Sequence, residues 1–217
     1  MPLKYETIIF DLDGTILDSA PGIRAGLAYA LEKLGRPFPA DLDLRLCMGP
    51  PLSWSFTALL GLPESRADEA VDIYREYYGQ SGLYQAEIYP GLLDLLRDLN
   101  EAGAAVCLAT SKSEIMARRM LEHFGLTPFL REAVMASGRE RLSAKKQMIE
   151  EVLSRRGPKA GRAVMIGDTF YDAEGAGGAG VDFIGVLYGY GRREEMEAQG
   201  GRIFASDAAA LRALLIG

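Results

Sequence analysis

The stretch Thr7-Ile8-Ile9-Phe10-Asp11-Leu12-Asp13-Gly14-Thr15 sets two carboxylic acids one residue apart at the end of a short β-branched, apolar run. Carboxylates this close repel each other, so the pair makes chemical sense with a cation between them. An aspartate can attack phosphorus and hold the phosphoryl group as an acyl phosphate. A second carboxyl beside it can protonate the leaving oxygen and later activate water. Thr7–Phe10 reads as a buried strand, with the acids emerging where it leaves the sheet. In open α/β sheets that crevice is where ligands bind. The competing reading is an Asp-Gly turn closing a hairpin, but no alternating strand follows Gly14.

Three further clusters carry residue types that suit phosphate chemistry. Thr110 and Ser111, in Leu108-Ala109-Thr110-Ser111-Lys112, stand at the expected end of a second strand and start of a helix. Hydroxyls and free N–H groups at such a point suit a phosphate oxygen, although either residue could simply cap the helix. Lys145 and Lys146 are adjacent at the start of another helical pattern, whose buried face is marked by Met148, Ile149 and Val152. A lysine there offers a compact positive charge. Finally, Gly167-Asp168-Thr169-Phe170-Tyr171-Asp172 places Asp168 at a strand tip and Asp172 one turn into the next helix. Hard oxygen ligands converging with Asp11 suit Mg²⁺; capping by Asp168 is the plainer alternative.

These residues need a scaffold that brings strand ends together. Five short apolar runs, Thr7–Phe10, Ala104–Ala109, Ala133–Ala136, Ala163–Ile166 and Phe183–Leu187, alternate with helical patterns over Gly91–Ala102, Ser113–Phe124, Ala144–Arg155, Tyr171–Ala179 and Asp207–Leu215. The expected fold class is α/β, a Rossmann-like doubly wound parallel sheet covered on both faces. The first two strands are too far apart for one crossover. Pro21–Leu34, Pro51–Leu60 and Glu64–Tyr78 read as helices within the gap, with a short one near Leu42–Cys47, and Tyr89-Pro90-Gly91 marks the return. The expected organisation is a core of residues 1–16 and 88–217 with a helical insertion over 17–87 roofing the site.

Net charge is −6, which argues against a nucleic-acid or membrane-surface binder. Cys47 and Cys107 lack metal-ligand or disulfide spacing. No apolar run is long enough for a membrane span and no signal segment opens the chain, so the expected setting is cytoplasmic. Gly175-Ala176-Gly177-Gly178-Ala179-Gly180 matches a dinucleotide-binding spacing but sits late in a helix, where close packing and a helix stop explain it better. Trp54, Phe56 and Leu59 have helical spacing and read as core of the insertion.

Together the four clusters resemble, in order, the four motifs of the haloacid dehalogenase superfamily, whose first motif is D-x-D-G-T. The resemblance implies that Asp11 is the nucleophile. It makes Asp13 the acid/base, with its backbone carbonyl also on the metal. Thr110, with Ser111 beside it, and a lysine would hold phosphate; the family register selects Lys145 over Lys146, although the Pro that often follows this lysine is missing. Asp168 would be a direct Mg²⁺ ligand and Asp172 a ligand through water or a supporting partner. Met48-Gly49-Pro50-Pro51-Leu52 and Gly185-Val186-Leu187-Tyr188-Gly189-Tyr190-Gly191 resemble the phosphoglycolate-phosphatase-like branch with its helical cap, including members described as 5′-nucleotidase-like. In that family cap residues choose the substrate, which makes Arg45, Gly49, Pro50 and Pro51 the candidate specificity loop. The implied activity is hydrolysis of a small phosphorylated metabolite: a phosphoglycolate-like compound, a sugar phosphate or a nucleoside monophosphate. A β-phosphoglucomutase-like transferase and a non-catalytic phospho-metabolite binder are the alternatives. Asp13 speaks against the dehalogenases and phosphonatases of the superfamily, which lack it.

Overall fold

The computed structural model describes residues 3–48, 50–136 and 145–216. The chain divides into two compact units, Met1–Asp18 with Ile88–Gly217, and Ser19–Glu87. The first contains six parallel strands: β1 (Thr7–Phe10), β2 (Ala105–Ser113), β3 (Glu132–Ala136), β4 (Ala163–Gly167), β5 (Asp182–Val186) and β6 (Ile203–Ala205). Their spatial order is β3-β2-β1-β4-β5-β6. The chain winds outward from β1 on one side, then returns to build the other, so β1 is the switch point of a doubly wound sheet. All four β1 residues are buried, as a strand covered on both faces requires.

Register sets the core. Ile9 lies beside Cys107 of β2 and Met165 of β4. These three cluster with Met148, Ile149 and Val152 of the helix Lys145–Arg156. Burying each such side chain is worth about 1.5–3 kcal/mol, and the contact anchors the helix whose first residue is Lys145.

Two features differ from the sequence reading. The short strand Ile203–Ala205 is additional; three residues carry too little periodicity to be read. And β2 continues past Ala109 to Ser113, with its register against β3 slipping between Thr110 and Ser113. Such a bulge re-aims side chains at a strand end. The following helix starts at Glu114, so Thr110 and Ser111 are on strand backbone rather than at a helix N-terminus.

In the unit Ser19–Glu87, the helices Ala20–Lys33 and Ala67–Gln80 pack together. Tyr74 covers Gly26, stacks on Tyr78 and meets Phe56 edge-on. The expected helix Pro51–Leu60 is an α-helical turn, Leu52–Trp54, running into a π-helical turn, Ser55–Leu59. The Thr57 hydroxyl donates to the Ser53 and Trp54 carbonyls there, a bond that competes with regular helix. Phe56 is buried, whereas Trp54 stays 44% exposed and is not core. Glu64–Arg66 forms a 3-10 turn ahead of the helix at Ala67. Among the described residues no helix is long and apolar enough to cross a membrane.

Gly22 tests this packing. A Cβ there would fall 1.9 Å from the Gly82 carbonyl oxygen. Alanine in a helix ordinarily gains about 1 kcal/mol over glycine; here Gly22→Ala is expected to destabilise. Thermal melts followed by circular dichroism should show a drop of roughly 2–4 °C per kcal/mol lost, and a raised melting temperature would contradict the close approach.

Candidate active site

The site begins where β1 ends. The Asp11 N–H donates to the Ile166 carbonyl at 2.9 Å, so the first acid is still tied to the sheet. The N–H groups of Thr15, Ile16 and Leu17 then converge on the Leu12 carbonyl, folding the chain into a tight loop. Gly14 has φ +80°, and a Cβ there would lie 2.2 Å from Asp168 Oδ2. Backbone conformation and space both demand glycine.

Asp168 follows β4 and is fully buried. Its Oδ1 accepts from the Thr15 hydroxyl at 3.3 Å and its Oδ2 from the Tyr190 N–H at 2.8 Å. Gly189 and Gly191 press against it: a Cβ on either would fall 2.3 Å from Asp168 Cβ or 2.0 Å from its carbonyl oxygen. The Tyr188 and Tyr190 hydroxyls tie this loop to the Thr15 carbonyl and to Asp18, at 3.0 and 2.9 Å. Asp172 has two separate tasks. Its Oδ2 accepts from the Thr169 N–H and hydroxyl, capping the helix Phe170–Ala179. Its Oδ1 faces Lys145.

Lys145 is buried, with Nζ 3.0 Å from Asp11 Oδ1, 2.8 Å from Asp172 Oδ1 and 3.0 Å from the Ala109 carbonyl oxygen. Gly175 lets the neighbouring helix approach, since a Cβ there would meet Lys145 Cβ at 2.7 Å, and Gly180 at φ +70° ends that helix. Packing thus accounts for Gly175 and the helix stop for Gly180, whereas a Cβ at Gly177 would meet nothing. Lys146 is exposed and pairs with Glu150, so only the first of the two lysines enters the cluster.

The ligand oxygens of Asp11, Asp168 and Asp172 all lie within 4.8 Å of one another. Asp11 Oδ1 and Asp172 Oδ1 are shielded from water and lack a well-directed hydrogen bond, although each is ion-paired to Lys145. When ionised, three carboxylates against one ammonium leave two negative charges uncompensated. A hard divalent cation fits that donor set. The electrostatics agree. Burial, then the charges of Asp172 and Asp11, pushes the Asp168 carboxyl up to about 8. Burial likewise raises Asp11, to about 6, against the pull of Lys145. Burial alone would lower the Lys145 ammonium, but Asp11 and Asp172 outweigh it and hold it above its ordinary value.

The remaining expected site residues divide. Thr110 is buried beside Ala109 at the sheet end, its hydroxyl accepting from the Lys112 N–H at 3.3 Å. Ser111 is exposed, because alternate residues of a strand face opposite ways. Asp13 is ion-paired to Lys112, a residue the sequence reading passed over; its signal was a lysine directly after the strand-end Thr-Ser pair. In the helical unit, Arg45 is exposed and holds Asp43 through two hydrogen bonds, Pro50 is half-buried and Pro51 exposed. Gly49 lies outside the described residues.

The profile of the haloacid dehalogenase-like hydrolases matches residues 8–186, which include Asp11, Asp13, Thr110, Lys145, Asp168 and Asp172. The chain belongs to this family. This haloacid dehalogenase-like hydrolase is 36% identical over 213 residues to a 5′-nucleotidase of Pseudomonas aeruginosa, with 98% of this chain and 96% of the relative covered. It is 32% identical over 199 residues to a phosphoglycolate phosphatase of Caulobacter vibrioides, covering 89% and 83%. It also superposes on the solved structure of Protein Tyrosine Kinase A of Mycobacterium tuberculosis with a TM-score of 0.85 at 34% identity, over 98% of this chain and 99% of that one. Family and relatives support a phosphoric monoester hydrolase.

A pH dependence follows for the metal-free hydrolase. Asp11 and Asp168 hold protons more tightly folded than unfolded, their ordinary value being 3.8. Their contribution to stability is therefore full below about pH 4 and lost as pH rises through about 6 to 8. In EDTA the melting temperature should fall over that range, and added Mg²⁺ should raise it most near pH 8. Asp168→Asn should abolish the Mg²⁺ effect; an equal Mg²⁺ shift in that variant would place the metal elsewhere.

Proposed function

We propose that this hydrolase is a Mg²⁺-dependent phosphomonoesterase that acts on a small phosphorylated metabolite through a phosphoryl group held on Asp11. The observation that carries the reading is the convergence of Asp11, Asp168 and Asp172 within 4.8 Å, with Lys145 on Asp11 and Asp172. Asp11 attacks phosphorus as the bond from phosphorus to the ester oxygen breaks, and Asp13 gives its proton to that oxygen. Water then attacks the phosphoryl group, Asp13 takes a proton from it, and the bond to Asp11 breaks, releasing phosphate. Lys145, Thr110 and Ser111 hold the phosphoryl oxygens. Asp11, Asp168, the Asp13 backbone carbonyl and Asp172 are the residues that would hold Mg²⁺. When bound, it supplies the positive charge that offsets repulsion between a carboxylate and a phosphate dianion.

Residues 17–87 are proposed as the cap, with residues 1–16 and 88–217 as the catalytic core. Arg45, Gly49, Pro50 and Pro51 would choose the substrate, Arg45 exchanging Asp43 for an anionic group. Names of relatives put nucleoside monophosphates and phosphoglycolate first among candidates. The acidic balance of the chain favours a small substrate over a nucleic acid. A cytoplasmic setting agrees with Cys47 and Cys107 being unpaired and buried.

Phosphate release from a panel of nucleoside monophosphates, phosphoglycolate and sugar phosphates, with Mg²⁺ and with EDTA, tests the reading. Release should require Mg²⁺ and concentrate on one compound class. Asp11→Asn should reduce it to background with an unchanged circular dichroism spectrum; robust activity in that variant would remove Asp11 as nucleophile. Transfer to a second hydroxyl of a sugar phosphate, with little free phosphate, would instead favour the mutase alternative.

A further inference from the structure

Asp13 and Lys112 form a contact that the mechanism above leaves unused. Lys112 Nζ donates to both carboxylate oxygens of Asp13, at 3.0 and 2.9 Å, across 99 residues of sequence. The Lys112 side chain is only 10% exposed. Lysine is rarely buried to this extent without a partner, and a Lys–Asp pair in this setting gains little stability over apolar residues of the same size. Its placement calls for another explanation.

Two structural features aim it. Lys112 lies within the stretch where β2 slips register against β3, between Thr110 and Ser113. Its own N–H is fixed on the Thr110 hydroxyl. The side chain therefore projects from strand backbone held at one end by the sheet and at the other by the helix starting at Glu114. An ammonium on both oxygens fixes the plane of a carboxylate that otherwise turns freely about its last bond. It can release one oxygen for proton transfer and still hold the other. Proton transfer works only within hydrogen-bond reach of the leaving oxygen, so orientation of the acid enters the rate directly.

We infer that Lys112 is a positioning residue for the leaving-group step, holding the Asp13 carboxyl in the orientation from which it meets the ester oxygen. The inference rests on the reading of Asp13 as the acid/base. It gives each aspartate of the Asp11-Leu12-Asp13 pair its own lysine: Lys145 from a helix start for Asp11, and Lys112 from a strand end for Asp13.

The test uses the dependence of kcat/KM on the leaving group. With Mg²⁺ present, p-nitrophenyl phosphate, phenyl phosphate and an alkyl phosphate are compared in the wild type, Asp13→Asn, Lys112→Met and Lys112→Arg. A leaving group that departs easily needs little protonation, whereas an alkoxide needs it most. Lys112→Met is expected to lose at least about tenfold more on the alkyl ester than on p-nitrophenyl phosphate, within the span general acid catalysis covers. Lys112→Arg, which can still bridge two oxygens, should recover part of that difference. A graded loss in Asp13→Asn with an equal loss across the series in both Lys112 variants would overturn the role of Lys112 and leave Asp13 in place. Equal losses in Asp13→Asn itself would overturn the reading of Asp13, and the inference with it. A folding defect would lower all three substrates together and so cannot imitate the expected pattern.

Discussion

Lys145 Nζ reaches Asp11 Oδ1, Asp172 Oδ1 and the Ala109 carbonyl oxygen, all within 3.0 Å, and the rest of the site is organised round that contact. An ammonium in such a place is costly to desolvate, and the Asp11 and Asp172 carboxylates offset that cost. The arrangement contributes little net stability compared with an apolar core. What it provides is a fixed positive charge beside the Asp11 carboxylate. One ammonium is still not enough for three acids, and burial together with the neighbouring carboxylates raises Asp168 and Asp11. The same deficit makes the cluster fit a divalent cation.

The doubly wound sheet makes this concentration of charge possible. Asp11 and Asp168 leave the carboxyl ends of adjacent parallel strands, and the Ala109 carbonyl belongs to the strand on the other side of β1. Parallel pairing brings these ends together at the switch point, where open α/β sheets have their binding crevice. Glycines then remove the side chains that would hold the groups apart. A Cβ at Gly14, Gly167 or Gly189 would collide with Asp168 or Asp172, and one at Gly175 with Lys145. Asp172 shows that structural and functional uses need not exclude each other, since one oxygen caps a helix while the other faces the ammonium.

The two acids of the first loop are held by different means. Asp11 belongs to the shared cluster around Lys145, and so is coupled to Asp168 and Asp172. Asp13 lies outside that cluster and is gripped by Lys112 from a separate element. The two carboxylates of one loop therefore sit in different electrostatic settings, Asp11 in the shared cluster and Asp13 paired to Lys112.

Much of this was legible in the sequence because it is local. Strand-end acids at Asp11, Asp13 and Asp168, the helix-start acid Asp172, and a lysine opening an amphipathic helix can each be read from short-range periodicity and turn residues. The alternation of five apolar runs with helical patterns was enough for the α/β class. Choosing Lys145 over Lys146 drew on the register of the resembled family, with Met148, Ile149 and Val152 marking the buried face. Other features were decided by tertiary structure alone. β2 runs on to Ser113 and keeps Thr110 and Ser111 on strand backbone, and its change of register is seen only in the pairing with β3, which no local pattern encodes. The strand Ile203–Ala205 exists because β5 offers it an edge. The Lys112–Asp13 pair joins the end of β2 to the loop that follows β1, and pKa values depend on burial, which belongs to the assembled sheet. Sequence alone therefore determined which groups could do chemistry, since that is a property of residue type and local phase; which groups meet, and at what charge, only the packed strands could decide, since distance and dielectric exist only once they have come together.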